Sequence, residues 1–263
     1  MSVYVVMPSK RPPEEAEKCL SKWREMGYKI AVQRDLGEAR PSAYFALDGS
    51  PLMMEMVCEF SYQQSVWWRP YLGYAEAVNY LSAKLLEDDP SCDWIVAAGD
   101  DMLPDPNKRA DEIAQECSAH FRSASLAKLT SDANFGVMQP TGDRDWGDRR
   151  GPYCDFVAGS PWMGREWCQR INQGKGPLWP GFYHMFADEC LQELAIKLGV
   201  FWQRQDLTHK HLNWGRPTDG RKMVDASEMP NFLVKANSPA EWNKGKKELE
   251  RLRNTGFAEC MPL

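Results

Sequence analysis

The stretch Asp93 to Pro106, DWIVAAGDDMLPDP, constrains this chain more than any other. The run Trp94 to Ala98 is apolar without a break. Gly99 then leads into adjacent carboxylates, Asp100 and Asp101, and a turn at Pro104. An apolar run of that length bounded by turn signals reads as a strand buried on both faces, in the middle of a parallel or mixed sheet. The two acids then stand at the strand's carboxyl end, the edge where loops of open α/β sheets form a ligand crevice. Adjacent carboxylates repel unless something positive lies near them, and a hard divalent cation carrying a diphosphate is a common answer. The plain alternative is an acidic surface turn in which Asp105 caps the next helix.

The opening of the chain supplies neighbours for that strand. Val3 to Met7 is a β-branched run ending at Pro8, and the loop Ser9 to Pro13 after it faces the same crevice. A helix follows with Ala16, Cys19, Leu20 and Trp23 on one face, stopped by Gly27, and Tyr28 to Val32 is a second strand. Strand, helix, strand is a βαβ unit with its crossover on one face of a parallel sheet. Asp35 sits just past the second strand, where a carboxylate either holds a base or ribose or is an ordinary loop acid. In residues 39–70, Tyr44 to Leu47 reads as a strand and Leu52 to Phe60 as an apolar element whose period separates neither helix nor strand. A helix from Tyr74 to about Leu86 buries Tyr74, Val78, Leu81 and Leu85, and Asn79 lies off that stripe within reach of a ligand.

Beyond the acidic strand, Asp105 reads as an N-cap with Pro106 in the first helical position, and Ala110, Ile113, Ala114, Cys117 and Phe121 continue the apolar face. Phe135 to Gln139 is a strand candidate, and GDRDWGDRRG after it carries matched charges, the mark of a polar loop. GSPWMGREW, residues 159–167, reads as a tight turn and a helix start with the Trp162 indole facing the crevice, or as a plain strand-to-helix junction. A second acidic pair, Asp188 and Glu189, closes WPGFYHMFADE and opens a helix marked by Leu191, Leu194, Ala195 and Leu198, where capping alone would explain Asp188. Phe201 to Leu207 is the last strand candidate. THKH follows it, and the two-residue spacing of His209 and His211 puts both rings on one side of an extended segment, as a metal site requires. In the tail, Ser238 to Glu241 forms a capping box for a surface helix of residues 238–254 that carries Trp242, Leu249 and Leu252.

Composition narrows the function classes. A chain of 263 residues holds a full core. Its net charge of −5 gives no overall bias toward nucleic acid or anionic membrane. Local exceptions are the tail helix, with five basic against three acidic residues, and residues 209–222, with four against one. The eight cysteines never fall in a C-x-x-C pair, which argues against zinc and suggests reduced thiols in a cytosol. No leader and no membrane-length apolar run is evident, so the expectation is a soluble cytoplasmic protein.

Four matches, in order and spacing, resemble the GT-A glycosyltransferases of the family-two type, and in particular the small single-domain versions carried by phages. They are VYVVMPSKRP, the GYAEAVN helix, GDDMLPDP, and ADE followed by a helix and THKH. The resemblance covers residues 1–215 and leaves 216–263 as a C-terminal extension. It implies a GT-A, Rossmann-like α/β fold with a central mixed, mainly parallel sheet flanked by helices. The implied donor is a nucleotide-diphosphate sugar, with a UDP-sugar favoured, and the implied cofactor is Mn2+ or Mg2+. The family's D-x-D element falls on Ala98-Gly99-Asp100, so the first acid, which in relatives often touches the ribose, is missing here. By the resemblance Asp100 and Asp101 are metal ligands, and one histidine, His209 or His211, completes the metal shell. Pro8, Ser9, Arg11, Asp35, Asn79 and Asp100 bind the donor nucleotide, and Asp188 is the catalytic base of an inverting transfer. Trp162, Trp179 and Glu189 contact sugar or acceptor, which is a glycan, a protein or hydroxylated bases in phage DNA. Two other classes stay open: a metal-dependent hydrolase of nucleotide sugars, and a non-catalytic sugar or nucleotide binding protein.

Overall fold

The computed structural model describes residues 1–35, 56–61, 64–123, 134–142, 159–212 and 231–263. The expected Tyr44 to Leu47 strand, the GDRDWGDRRG loop after its first glycine and the basic residues Arg216, Arg221 and Lys222 lie outside them. In chain order the elements begin with β1 (Ser2–Ser9), α1 (Pro13–Glu25), β2 (Lys29–Asp35), β3 (Met56–Ser61) and β4 (Gln64–Arg69). Next come α2 (Tyr74–Asp88), β5 (Cys92–Ala97), β6 (Met102–Leu103), α3 (Ala110–Ser123), β7 (Val137–Gly142) and β8 (Trp162–Gly164). The chain closes with α4 (Arg165–Gly174), α5 (Ala187–Lys197), β9 (Phe201–His211), α6 (Asn231–Val234) and α7 (Pro239–Asn254).

The strands form one sheet in the order β3-β4-β2-β1-β5-β8-β7-β9-β6. β1 pairs in parallel with β2 and β5, β2 with β4, and β7 with β9, whereas β3, β6 and β8 run antiparallel to their neighbours. This is the mixed, mainly parallel α/β sheet that the βαβ opening predicts. The acidic strand, β5, is fully interior: Trp94, Ile95, Val96, Ala97 and Ala98 are all 0% exposed.

Alternation along the strands divides the core. Val3, Val5 and Met7 of β1, with Trp94 and Val96 of β5, pack against Leu20 and Trp23 of α1 and Ile113 and Cys117 of α3. Tyr4 and Val6, with Ile95 and Ala97, face the other way, against Leu81 and Leu85 of α2, Trp167 of α4, Leu191 of α5 and Leu249 and Leu252 of α7. A slip of one residue would exchange the two sets. At about 1.5–3 kcal/mol for each large apolar side chain buried, register is strongly specified. The amino edge of the sheet is pinned by Asp89, whose Oδ2 accepts from Lys29 Nζ and Tyr4 Oη, each at 2.8 Å, while Oδ1 accepts from the Ser91 N–H at 2.8 Å.

Two expectations need correction. Asp105 does not cap a helix that starts at Pro106, since α3 begins at Ala110 and the Glu112 carboxylate accepts the Arg109 N–H at 2.9 Å. Asp105 is buried instead. Its two oxygens accept the N–H groups of Asn107 at 2.8 Å and Thr208 at 2.7 Å, which ties the turn after β5 to β9. Residues 162–164 form β8, between β5 and β7, and run directly into α4, so the plain strand-to-helix junction holds and the Trp162 indole does not face the crevice: it is 0% exposed and packs against Tyr28.

Candidate active site

A cleft of about 600 Å³ opens at the carboxyl edge of the sheet. One wall comes from the ends of β1, β2 and β5, through Ser9, Arg11, Gln33, Asp35, Asp100 and Asp101. A second wall comes from Tyr71 just before α2 and Tyr74 at its start, from Tyr183, His184 and Met185 in the loop before α5, and from Asp188 in the first turn of α5. Leu233, Lys235, Ala236 and Asn237, in and just after α6, complete the rim. Asp100 and Asp188, far apart in sequence, therefore share one cavity.

The carboxylate pair sits where β5 leaves the sheet at Gly99. A Cβ on Gly99 would stand 2.6 Å from Asp101 Oδ1, so the missing side chain lets Asp101 fold back beside Asp100. Arg11 bridges the two acids: Nε donates to Asp100 Oδ1 and Nη2 to Asp101 Oδ2, each at 3.0 Å. Asp100 Oδ2 accepts from Ser9 Oγ at 2.7 Å and from the Arg11 backbone N–H at 3.4 Å. His211 Nε2 lies 3.2 Å from Asp101 Oδ1. Burial pushes the Asp101 carboxyl up, but His211 and Arg11 outweigh it and hold the group below its ordinary value.

Asp100, Asp101 and His211 are donors of the kind that suit a hard divalent cation. All four carboxylate oxygens already accept a hydrogen bond from Arg11, Ser9 or His211, so such an ion would take the place of one or more of these donors. Among the described residues no three His, Cys, Asp or Glu side chains stand ready as a metal cage. His209, expected as an alternative ligand, is 1% exposed, with Nδ1 2.9 Å from Ser160 Oγ and its ring edge-on to Trp23. It pairs with Gly142 in β7, whereas His211 pairs with Met102 in β6. Two residues of strand separate the histidines by about 7 Å, so only the outer one meets the acids.

At the end of β2 the cleft meets Gln33, which is 1% exposed and has neither Oε1 nor Nε2 hydrogen-bonded. A buried carboxamide without partners costs about 1–3 kcal/mol, and its amide edge is complementary to any ligand that offers one donor beside one acceptor. Asp35, two residues on, lines the same side and faces Lys10, with Nζ and Oδ2 4.0 Å apart.

Asp188 stands in the first turn of α5, after Phe186 in a left-handed backbone conformation (φ 71°, ψ 0°). Burial pushes its carboxyl up against a bond from the Glu189 N–H at 3.0 Å. Burial, then the carboxylate of Asp188, then Tyr71 and Asp101 push the Tyr74 phenol up, so this ring lies within electrostatic reach of both acidic walls. The His184 imidazole meets the Tyr74 ring at 5.5 Å, its Nδ1 has no partner, and burial lowers its pKa, which favours the neutral ring. Lys235 Nζ lies 4.2 Å above the Tyr183 ring, which meets Tyr71 edge-on at 5.9 Å.

Of the residues expected from sequence, Pro8, Ser9, Arg11, Asp35, Asp100, Asp101, Asp188 and His211 line this cleft. Asn79, Trp162, Trp179, Glu189 and His209 do not. Asn79 spends its amide on Leu178, donating to the carbonyl at 2.8 Å and accepting the N–H at 2.9 Å. Trp162 is in the core, and Trp179 is 7% exposed with its indole N–H donated to Glu248 at 2.8 Å. The aromatic wall belongs to Tyr71, Tyr74 and Tyr183 instead. Sequence reading overlooked Gln33, His184 and Lys235. Gln33 had a usable signal, a polar residue in the inward phase of an otherwise apolar strand.

No protein-family model and no curated protein sequence matches the chain. Among solved structures, the catalytic domain of Drosophila β1,4-galactosyltransferase 7 in complex with xylobiose is 14% identical, covering 87% of this chain and 78% of that one at a TM-score of 0.46. A mutant of that Drosophila enzyme with manganese, UDP-Gal and xylobiose is also 14% identical, covering 87% and 79% at 0.45. A glycosyltransferase involved in glycosylation of the major capsid of PBCV-1 is 12% identical, covering 64% and 62% at 0.30. All three scores lie below 0.5, a level of likeness that carries no weight for fold or function. No helix of the described residues is long and apolar enough to cross a membrane.

Proposed function

We propose that this protein is a glycosyltransferase of the GT-A type that moves a sugar from a nucleotide-diphosphate donor to an acceptor hydroxyl with inversion. The observation that carries the reading is the one cleft lined by the Arg11-bridged pair Asp100 and Asp101 on one wall and the half-buried Asp188 on the other. Asp100, Asp101 and His211 would hold a divalent cation, manganese or magnesium, whose chemistry there is Lewis-acid neutralisation of a diphosphate leaving group. Gln33 and Asp35 receive the base and ribose, offering amide and carboxylate hydrogen bonds at the end of β2. Asp188 accepts the proton of the acceptor hydroxyl as the sugar transfers, and its raised pKa makes it a stronger base than an exposed carboxylate. Tyr71, Tyr74 and Tyr183 present flat faces to the apolar side of a sugar. A UDP-sugar is the donor of choice, and a hydroxylated base in DNA, a glycan or a protein is the acceptor.

The test is thermal-shift measurement with uridine, guanosine, cytidine and thymidine diphosphates, with and without manganese, followed by transfer assays of the wild type and Asp188→Asn. One nucleotide should raise the melting temperature. Asp188→Asn should keep that shift and lose transfer roughly a hundredfold or more. Absence of any nucleotide shift overturns the proposal. Sugar release at equal rates with and without acceptor would establish a hydrolase in its place, and full activity of Asp188→Asn would remove the assigned base. A DNA acceptor predicts binding that weakens steeply with salt.

A further inference from the structure

The acids at the end of β5 already have a cation, and it is part of the chain. Arg11 donates from Nε and Nη2 to one oxygen of each carboxylate, with its side chain 22% exposed. The guanidinium lies across both carboxylates, in the position a divalent ion chelated by them would take, and the two like charges repel there, so each weakens the other's hold. A guanidinium drawn off two carboxylates in a partly buried site loses its counter-charge, so once displaced it needs another anion close by. The local backbone suits an exchange. The Arg11 carbonyl accepts from Arg34 Nη2 at 2.8 Å, which fixes the loop, and Asp100 keeps the Ser9 hydroxyl and the Arg11 N–H when the side chain turns away.

We infer that Arg11 is the exchangeable counter-ion of Asp100 and Asp101, displaced when a divalent cation binds and taken up by the diphosphate of the incoming nucleotide. The inference rests on the nucleotide-sugar reading of the cleft and adds to it a competition between a side chain and an ion for one seat. Without nucleotide the ion binds weakly, because Arg11 must be stranded. With nucleotide both charges find partners, and each ligand strengthens the other by the same factor.

Manganese binding to the full chain, followed by the loss of free-ion electron-spin resonance and by calorimetry, tests this without any assay of activity. Arg11→Met and Arg11→Lys remove the bridge, the second while keeping the charge. Both should bind manganese at least tenfold more tightly than the wild type in the absence of nucleotide, and both should bind uridine diphosphate less tightly in its presence. Lys10→Met, which removes a neighbouring charge that touches neither Asp100 nor Asp101, should bind manganese as the wild type does. Wild-type affinity in Arg11→Lys, or tightening in Lys10→Met equal to that in Arg11→Met, overturns the exchange. A wild type that binds no manganese with or without uridine diphosphate would overturn the reading beneath it, and the exchange with it.

Discussion

The amide N–H of Tyr74 donates to the carbonyl of Tyr183 at 2.6 Å, joining the first turn of α2 to the loop that leads into α5 and Asp188. Gly73 makes the approach possible. Its φ is +129°, and a Cβ there would stand 2.6 Å from the same carbonyl oxygen. Gly73→Ala is expected to lower stability by about 1–3 kcal/mol and to widen the cleft between Tyr74 and Tyr183. Urea unfolding measures the first effect, and an unchanged midpoint would show that the two elements are not clamped at this point.

Asp188 is held in its folded site with a raised pKa, caused first by burial. A carboxyl more basic in the folded chain than in the unfolded one destabilises the fold when ionised. That penalty is present at neutral pH and withdrawn as pH falls through the folded value toward an ordinary carboxylate's, about 4. Asp188→Asn should therefore melt higher than the wild type near neutral pH, with the gain shrinking in acid. Calorimetry across that range decides it, and a constant difference would contradict the assignment.

Gln33 gives a similar opposition between stability and binding. Its carboxamide is buried without partners. Gln33→Met removes that cost at similar length and should stabilise the ligand-free protein by about 1–3 kcal/mol. The same change should weaken nucleotide binding. A variant that loses stability and binds uridine diphosphate normally would mean the amide is satisfied some other way.

Asp89 titrates with the opposite sign. Burial raises its carboxyl, but hydrogen bonds from Lys29, Ser91 and Tyr4 outweigh burial and hold it well below the usual range. Such a group contributes stability at pH above the unfolded value and loses it as pH falls through the folded one. Asp89→Asn should cost about 1–3 kcal/mol near neutral pH and progressively less in acid. Nucleotide binding should not change, because Asp89 anchors the start of β1 and the cleft lies at its end.

The strand Trp94 to Ala98, its buried faces and the place of its acids were legible because alternation and turn residues are local signals. So was the cap of α7 at Ser238, where Glu241 donates its N–H to Ser238 Oγ at 3.3 Å. Non-local use of a side chain was not legible. Asp105 looked like a cap and proved to be a tie to Thr208, and Asn79 looked free and proved to be spent on Leu178. Trp179 was misread for the same reason, since nothing near it in sequence announces Glu248. Gly99 shows the converse: sequence marks a turn, but only the fold explains that a side chain there would collide with Asp101.

The loop before α5 rests on the C-terminal helix. Phe186 meets the Trp242 ring at 4.8 Å, Gly245 leaves room for Phe186 and the Met185 carbonyl, and Trp179 reaches Glu248 at 2.8 Å. A left-handed phenylalanine persists only where its surroundings hold it. A descendant that shed this tail would keep every acid of the cleft and lose the mould that shapes one of them, so the last helix cannot be traded like a detachable module.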